Sequence, residues 1–151
     1  MNEEGIVKGI TWHFLINLAR RLHNLILNHG FLSRDVLHQG QVYHNNTVVF
    51  GKGIIQAYRY ESKRIKVPAI VQYPDSGKAG FSFVTFKGIP CVDYLFGLQN
   101  NEIKRLQESL VKGVKDNTGK PEVSYWYMAV EFFDQLKENR TDSPARHEPT
   151  E

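Results

Sequence analysis

A single cysteine stands in the 151 residues, so no disulfide can form within the chain and no cysteine-built zinc cluster is available. That residue, Cys91, sits in the apolar run Ile89-Pro90-Cys91-Val92, the surroundings of a buried structural thiol rather than of a nucleophile. Long hydrophobic runs are also missing, and no stretch approaches the ~20 apolar residues that cross a bilayer. Nor is there a block of like charge. The formal net charge is +3, with the basic residues scattered, which suits a small phosphorylated ligand better than a nucleic-acid footprint. The opening Met1-Asn2-Glu3-Glu4 is acidic and does not read as a secretory signal, so a cytoplasmic location and no membrane partner are expected.

What is present is the composition of an ordinary globular domain, with 41% hydrophobic and 23% charged residues. The length suits one core, expected over residues 1–138, with residues 139–151 as a polar, disordered tail. Residues 11–29 carry Phe14, Leu18, Leu22, Leu25 and Ile26 at helical spacing. Thr11 is placed to cap that helix and Gly30 to stop it. Residues 31–38 read as extended. Two short strands, 41–44 and 47–50, flank Asn45-Asn46 as a tight hairpin.

Helical spacing returns from Ile54 to about Lys63. A β-branched strand follows from Val67 to Tyr73 and is closed by Pro74-Asp75-Ser76-Gly77. Phe81–Phe86 reads as a strand and Pro90–Leu95 as a short third one. Two helices then cover about 101–115 (Ile103, Leu106, Leu110 and Val114 inward) and 122–137 (Val123, Trp126, Val130 and Phe133 inward). This order gives a single-sheet sandwich, α+β or α/β. The expectation adopted is α+β, with one mixed or antiparallel sheet and helices packed on it.

Several residues in this layout form an ordered frame. Gly30-Phe31-Leu32-Ser33-Arg34 is followed by Gly40, Tyr43-His44, Val49-Phe50-Gly51, Ala57-Tyr58-Arg59-Tyr60-Glu61-Ser62 and Pro68-Ala69-Ile70-Val71. The frame resembles bacterial class III nucleotidyl cyclase-like domains, most closely the branch that includes the Pycsar antiviral pyrimidine cyclases. Val92-Asp93-Tyr94-Leu95 and Tyr125-Trp126-Tyr127 are weaker echoes of the same branch. In such domains the ribose 3′-hydroxyl attacks the α-phosphate, two metal ions held by two aspartates activate it, and a partner helix brings a polar residue and an arginine one turn apart.

The resemblance puts that arginine, the catalytic candidate, at Arg59 and its polar companion at Ile55, which lacks the polar group. The base-reading position falls on Val48, and Tyr58 and Arg34 complete the implied nucleotide-binding set. Arg34 can hold a phosphate or pair with Asp35 or a helix carboxylate, and Arg59 can equally be a solvated arginine beside Glu61. Where the branch has paired glycines, this chain has Asp35-Val36. The segment before the first helix holds Glu3 and Glu4 but no aspartate, so the resemblance implies that both metal positions are missing. Mg²⁺ or Mn²⁺ is expected only if those strands are supplied.

The functional expectation is therefore a catalytically incomplete, nucleotide-binding or dimerising relative of the cyclases. Its implied partners are a nucleoside triphosphate and a second copy or another cyclase-like chain, with nucleic acid not expected. Two other readings stand beside it. Gly80-Phe81-Ser82-Phe83-Val84-Thr85-Phe86 is close to the strand signature of RNA-recognition motifs, with Phe81 and Phe83 as the stacking residues. A plain interaction protein, pairing through an exposed sheet edge, is the other. Asp35, His38 and His44 read either as a metal set or, in the alternative, as ordinary polar residues.

Overall fold

The first helix, α1 (Glu4–Asn28), sets the frame for everything around it. The computed structural model describes residues 4–38, 43–44, 49–50, 53, 55, 67–73 and 83–141. The helix begins well before Thr11, which is therefore an interior residue and not a cap. It stops where the sequence indicates. Gly30 takes a left-handed φ of 88°, Gly30 N–H donates to Leu27 O at 2.9 Å, and Phe31 N–H donates to Ile26 O at 3.1 Å. This paired closure is the Schellman arrangement, which needs a residue without a Cβ penalty at the turning point.

The face that α1 buries is the opposite of the expected one. Ile16, Arg20, His23 and Leu27 are buried, whereas Phe14, Leu18, Leu22 and Leu25 are 64, 41, 49 and 54% exposed. The correction has a physical source. Ile16, Ala19 and Leu27 form a second, thinner apolar stripe, so the helical period is satisfied on both sides and cannot point to the core. Tertiary hydrogen bonds select the thinner one. His23 Nδ1 lies 3.1 Å from Ser33 Oγ, and Asn24 Nδ2 donates to Tyr94 O at 3.2 Å.

After α1 the chain enters β1 (Asp35–His38), which pairs in parallel with β4 (Ile70–Tyr73) in the register Asp35↔Ile70 to His38↔Tyr73. Between them, β2 (Tyr43–His44) and β3 (Val49–Phe50) form a separate antiparallel pair. Its register, His44↔Val49, leaves four connecting residues where the sequence suggests a two-residue turn; four-residue hairpin loops are the next common solution. Then β5 (Phe83–Phe86) and β6 (Ile89–Val92) form a true two-residue hairpin. Its turn residues, Lys87 and Gly88, have φ of 49° and 75°, the left-handed pair that matches the twist of the flanking strands.

The main sheet runs β1-β4-β6-β5 and is mixed, with β4–β6 and β6–β5 antiparallel. The fold is α+β.

Residues 93–99, expected in part as strand, instead form a tight loop. Asp93 Oδ1 accepts from Leu95 N–H at 2.9 Å, and Leu98 N–H reaches Leu95 O at 3.1 Å. Helix α2 (Asn100–Asn117) follows, its first turn closed by Gln99 N–H donating to Glu102 Oε2 at 2.8 Å. Ile103, Leu106, Leu110 and Gly113 face inward at spacings of three and four, and Val114 is partly buried beside them.

Helix α3 (Val123–Thr141) buries Trp126, Ala129, Phe132, Phe133 and Leu136, and continues three residues into the segment that reads as tail. Phe132 stacks on Phe86, with ring centroids 4.7 Å apart, and meets Tyr94 edge-on at 5.7 Å. Cys91 is fully buried in this core, and its thiol pKa is pushed up to about 12 by burial. A thiol so protonated is a structural residue and not a nucleophile.

Candidate functional site

The closure of α1 has a consequence for the surface next to it. Phe31, the residue directly after the left-handed glycine, does not pack back on the last turn of α1 but projects with 67% of its area exposed. Four residues on, β1 is pinned to the strand beside it: Asp35 N–H donates to Ala69 O at 3.0 Å, which holds the preceding Arg34 level with the Pro68-Ala69 segment. The third wall comes from the α2–α3 connection. There Asn117 Nδ2 donates to Gly113 O at 2.8 Å and Thr118 Oγ1 to Val114 O at 2.8 Å, satisfying carbonyls at the end of α2 and fixing where α3 starts.

These walls enclose a cleft of about 480 Å³ lined by Phe31, Arg34, Pro68, Glu122, Tyr125 and Trp126, among others. Trp126 is the floor, 5% exposed, while Tyr125 at the rim is 43% exposed. The floor depends on Gly113, because a Cβ there would sit inside the Trp126 ring. Two exposed aromatic rings can stack on a planar ring, a guanidinium can hold an anion or stack in turn, and a carboxylate can accept from hydroxyl or amino groups. The volume is that of an ordinary small-molecule site.

Beneath the mouth of the cleft, α1 and β1 are joined by a short relay. Ser33 Oγ donates to Asp35 Oδ2 at 2.9 Å, and so accepts from His23 Nδ1–H at 3.1 Å. His23 Nδ1 stands 3.7 Å from Asp35 Oδ2, and the imidazole packs against Tyr94 with centroids 4.6 Å apart. The hydroxyl lies between the imidazole and the carboxylate, an order in which nothing withdraws its proton toward the ring. The relay braces the strand that begins directly after Arg34.

Of the nucleotide-binding residues named from the sequence, Arg34 lies in this cleft. Ile55 is 52% exposed and is not part of it. Val48, Tyr58 and Arg59 lie outside the described residues, so the expected pairing of Arg59 with position 55 has no geometry to report. Tyr125 and Trp126, a late aromatic echo in the sequence with Trp126 also expected inward on its helix, line the cleft together with Arg34. Phe31 and Glu122 carried no role in the sequence reading; the usable signal for Phe31 was its place immediately after a helix-stopping glycine.

Of the metal set offered by the sequence, Asp35 accepts from the Ser33 hydroxyl and the His44 side chain lies outside what is described; among the described residues no group of three or more His, Cys, Asp or Glu side chains converges. Phe83 is half-buried and packs against the core, while Phe81 lies outside the described residues. No described helix is long and apolar enough to cross a membrane. No family model, curated protein or solved structure matches the chain.

Proposed function

We propose that this chain is a nucleotide-binding domain of cyclase-like ancestry that does not cyclise on its own, with the cleft beside Arg34 as its ligand site. The observation that carries the reading is the meeting of Arg34 with Phe31 and Tyr125 in one cleft of about 480 Å³. Arg34 and Phe31 belong to the stretch that resembles class III cyclase-like domains, and Tyr125 comes from the late aromatic echo of the same branch. A base would stack between the two exposed rings, Arg34 would hold a phosphate, and Glu122 would accept from a ribose hydroxyl or an exocyclic amine. Metal chemistry would require carboxylates beyond those that line the cleft.

Calorimetric titration of the purified chain with ATP, GTP, CTP and UTP tests this directly. Micromolar binding of at least one is expected, weakened about tenfold or more in Arg34→Ala, the scale of a charge-assisted contact. Binding unchanged by Arg34→Ala, or absent for all four, would sink the assignment.

A second reading, self-association, is favoured by the exposed face of α1. Phe14, Leu15, Leu18, Leu22 and Leu25 together leave roughly 500 Å² of apolar surface in one stripe, the size of the largest patch an ordinary monomer shows. Two copies meeting along this stripe would bury ~1,000 Å² from these side chains alone, where specific interfaces begin. A second copy of the chain, docked by a twofold axis across α1, is the occupant this surface fits. The two readings are compatible, since the stripe and the cleft use different faces.

A further inference from the structure

A second cavity, of about 430 Å³, lies on the other side of the loop at residues 93–99, between α1 and the start of α2. Arg20, Arg21, Asn24, Phe96 and Glu102 line it. The unusual member is Arg20. Only 9% of it is exposed, yet among the described residues no carboxylate comes within ion-pair distance of it. Its guanidinium lies 4.9 Å from the Phe96 ring centroid, and Nη1 donates to Asn17 Oδ1 at 2.8 Å. Its Nε is buried with no hydrogen-bond partner, and so is Asn24 Oδ1 beside it.

A buried guanidinium with an idle donor is costly. Burial lowers the pKa of Arg20, and Asp93 opposes that only through space. Asp93 is itself a poor counter-ion, because burial raises its pKa despite the Leu95 N–H and the nearby Arg140 and Arg20. Glu102 is occupied by Gln99 N–H. The two idle atoms are of opposite kind: one is a donor on a cation and the other is an acceptor. A group that satisfies both must accept and donate at once, and a hydroxyl-bearing anion does so while also matching the guanidinium charge.

We infer that the Arg20 cavity is a binding site for a small hydroxyl-bearing oxyanion, of which hydrogen phosphate is the simplest. An oxygen of the anion accepts from Arg20, its hydroxyl donates to Asn24 Oδ1, and Arg21 and the N-terminal end of α2 add favourable field. As the side chains stand, neither idle atom reaches the cavity surface, so docking entails rotations of both the Arg20 guanidinium and the Asn24 carboxamide toward the cavity they already line. This site is separate from the Arg34 cleft and does not depend on it.

The experiment is a titration of the full chain with inorganic phosphate at constant ionic strength, read by thermal shift and by amide chemical shifts. A saturable rise in Tm with millimolar phosphate is expected, together with shifts at residues 20–24 and 96–98. The response should vanish in Arg20→Met, weaken severalfold in Arg21→Ala, and persist in Arg34→Ala. Arg21 is exposed, so its variant decides the matter if Arg20→Met fails to fold. Sulfate at neutral pH has no hydroxyl proton and should bind at least fivefold more weakly. No saturable response, a response lost in Arg34→Ala, or Arg21→Ala and Arg20→Met both behaving like the parent would overturn the site. Equal binding of sulfate and phosphate would remove Asn24 from it.

Discussion

Helices α1 and α2 are neighbours in the same core, yet they distribute their side chains in opposite ways. In α2 the buried set is Ile103, Leu106, Leu110 and Gly113, and the outer face carries Lys104, Gln107, Glu108, Lys112 and Lys115, with Val111 the one large apolar exception. In α1 the inner face includes Arg20 and His23, and the outer face carries one phenylalanine and four leucines. The difference shows what helical periodicity does and does not encode. It finds stripes; it does not say which stripe meets the core when two are present.

In α1 the choice falls to hydrogen bonds that only the folded chain can form, from His23 to Ser33 and from Asn24 to Tyr94. Leaving the outer stripe in water forgoes on the order of 10 kcal/mol of burial at ~25 cal/mol per Å². The cost of association is of similar size, so area alone does not set how tightly a second copy would bind.

The contrast can be broken experimentally. Leu110→Ala, on the inner face of α2, should cost about 2–5 kcal/mol in urea unfolding, because it opens a cavity in a packed core. The paired change Leu18→Lys and Leu22→Lys, on the outer face of α1, should leave stability within about 1 kcal/mol. The same pair should shift sedimentation from dimer to monomer. If the α1 pair unfolds the chain as readily as the α2 variant, the two helices are alike after all and the outer stripe is core.

A smaller effect probes how close the packing of α2 is. Gly113→Ala should destabilise by about 1–3 kcal/mol despite the better helix propensity of alanine, since the new methyl group meets Trp126. It should also perturb ligand binding at the cleft that Trp126 floors. A neutral or stabilising result would mean that the Trp126 ring moves freely, and the floor would lose its rigidity.

The gentlest probe concerns the strands that the helices cover. The folded Cys91 thiol titrates near 12 against an ordinary value near 9, so between those pH values the native state holds a proton that the unfolded state has lost. Stability must therefore fall as pH rises through that window, by up to ~1.4 kcal/mol per unit from this group. Cys91→Ala should flatten the slope by that amount relative to the parent. Equal slopes would show that the thiol is not sealed from water.

Much of the fold was legible because it is local. Ile103, Leu106 and Leu110 announce α2, Gly30 ends α1, and Trp126 and Phe133 mark the inner face of α3. The α+β class followed from the order of elements. The inverted face of α1 was not legible, because it depends on residues ten and seventy positions away. Nor was the four-residue hairpin register, since Asn45-Asn46 advertises a shorter turn. Of the cleft residues, Arg34 is the one that the sequence singles out as a binding candidate. Its meeting with Glu122 and Tyr125 was not legible, because nothing in the sequence says that the α2–α3 connection returns to the end of α1.

The hydrogen bonds that hold α1 also govern how the chain can be made. Asn24 waits for Tyr94, 70 residues later, and the Asn28 carboxamide for the Ser109 hydroxyl, 81 residues later. The loop that Asn24 meets is itself closed by Arg140, which donates to Leu95 O at 2.8 Å and Leu98 O at 3.1 Å. At a synthesis rate of roughly 5–20 residues per second, α1 is outside the ribosome for several seconds with both apolar stripes uncovered. The contacts that hold α1 and the loop it meets are complete only once Arg140, in the final turn of α3, has been made.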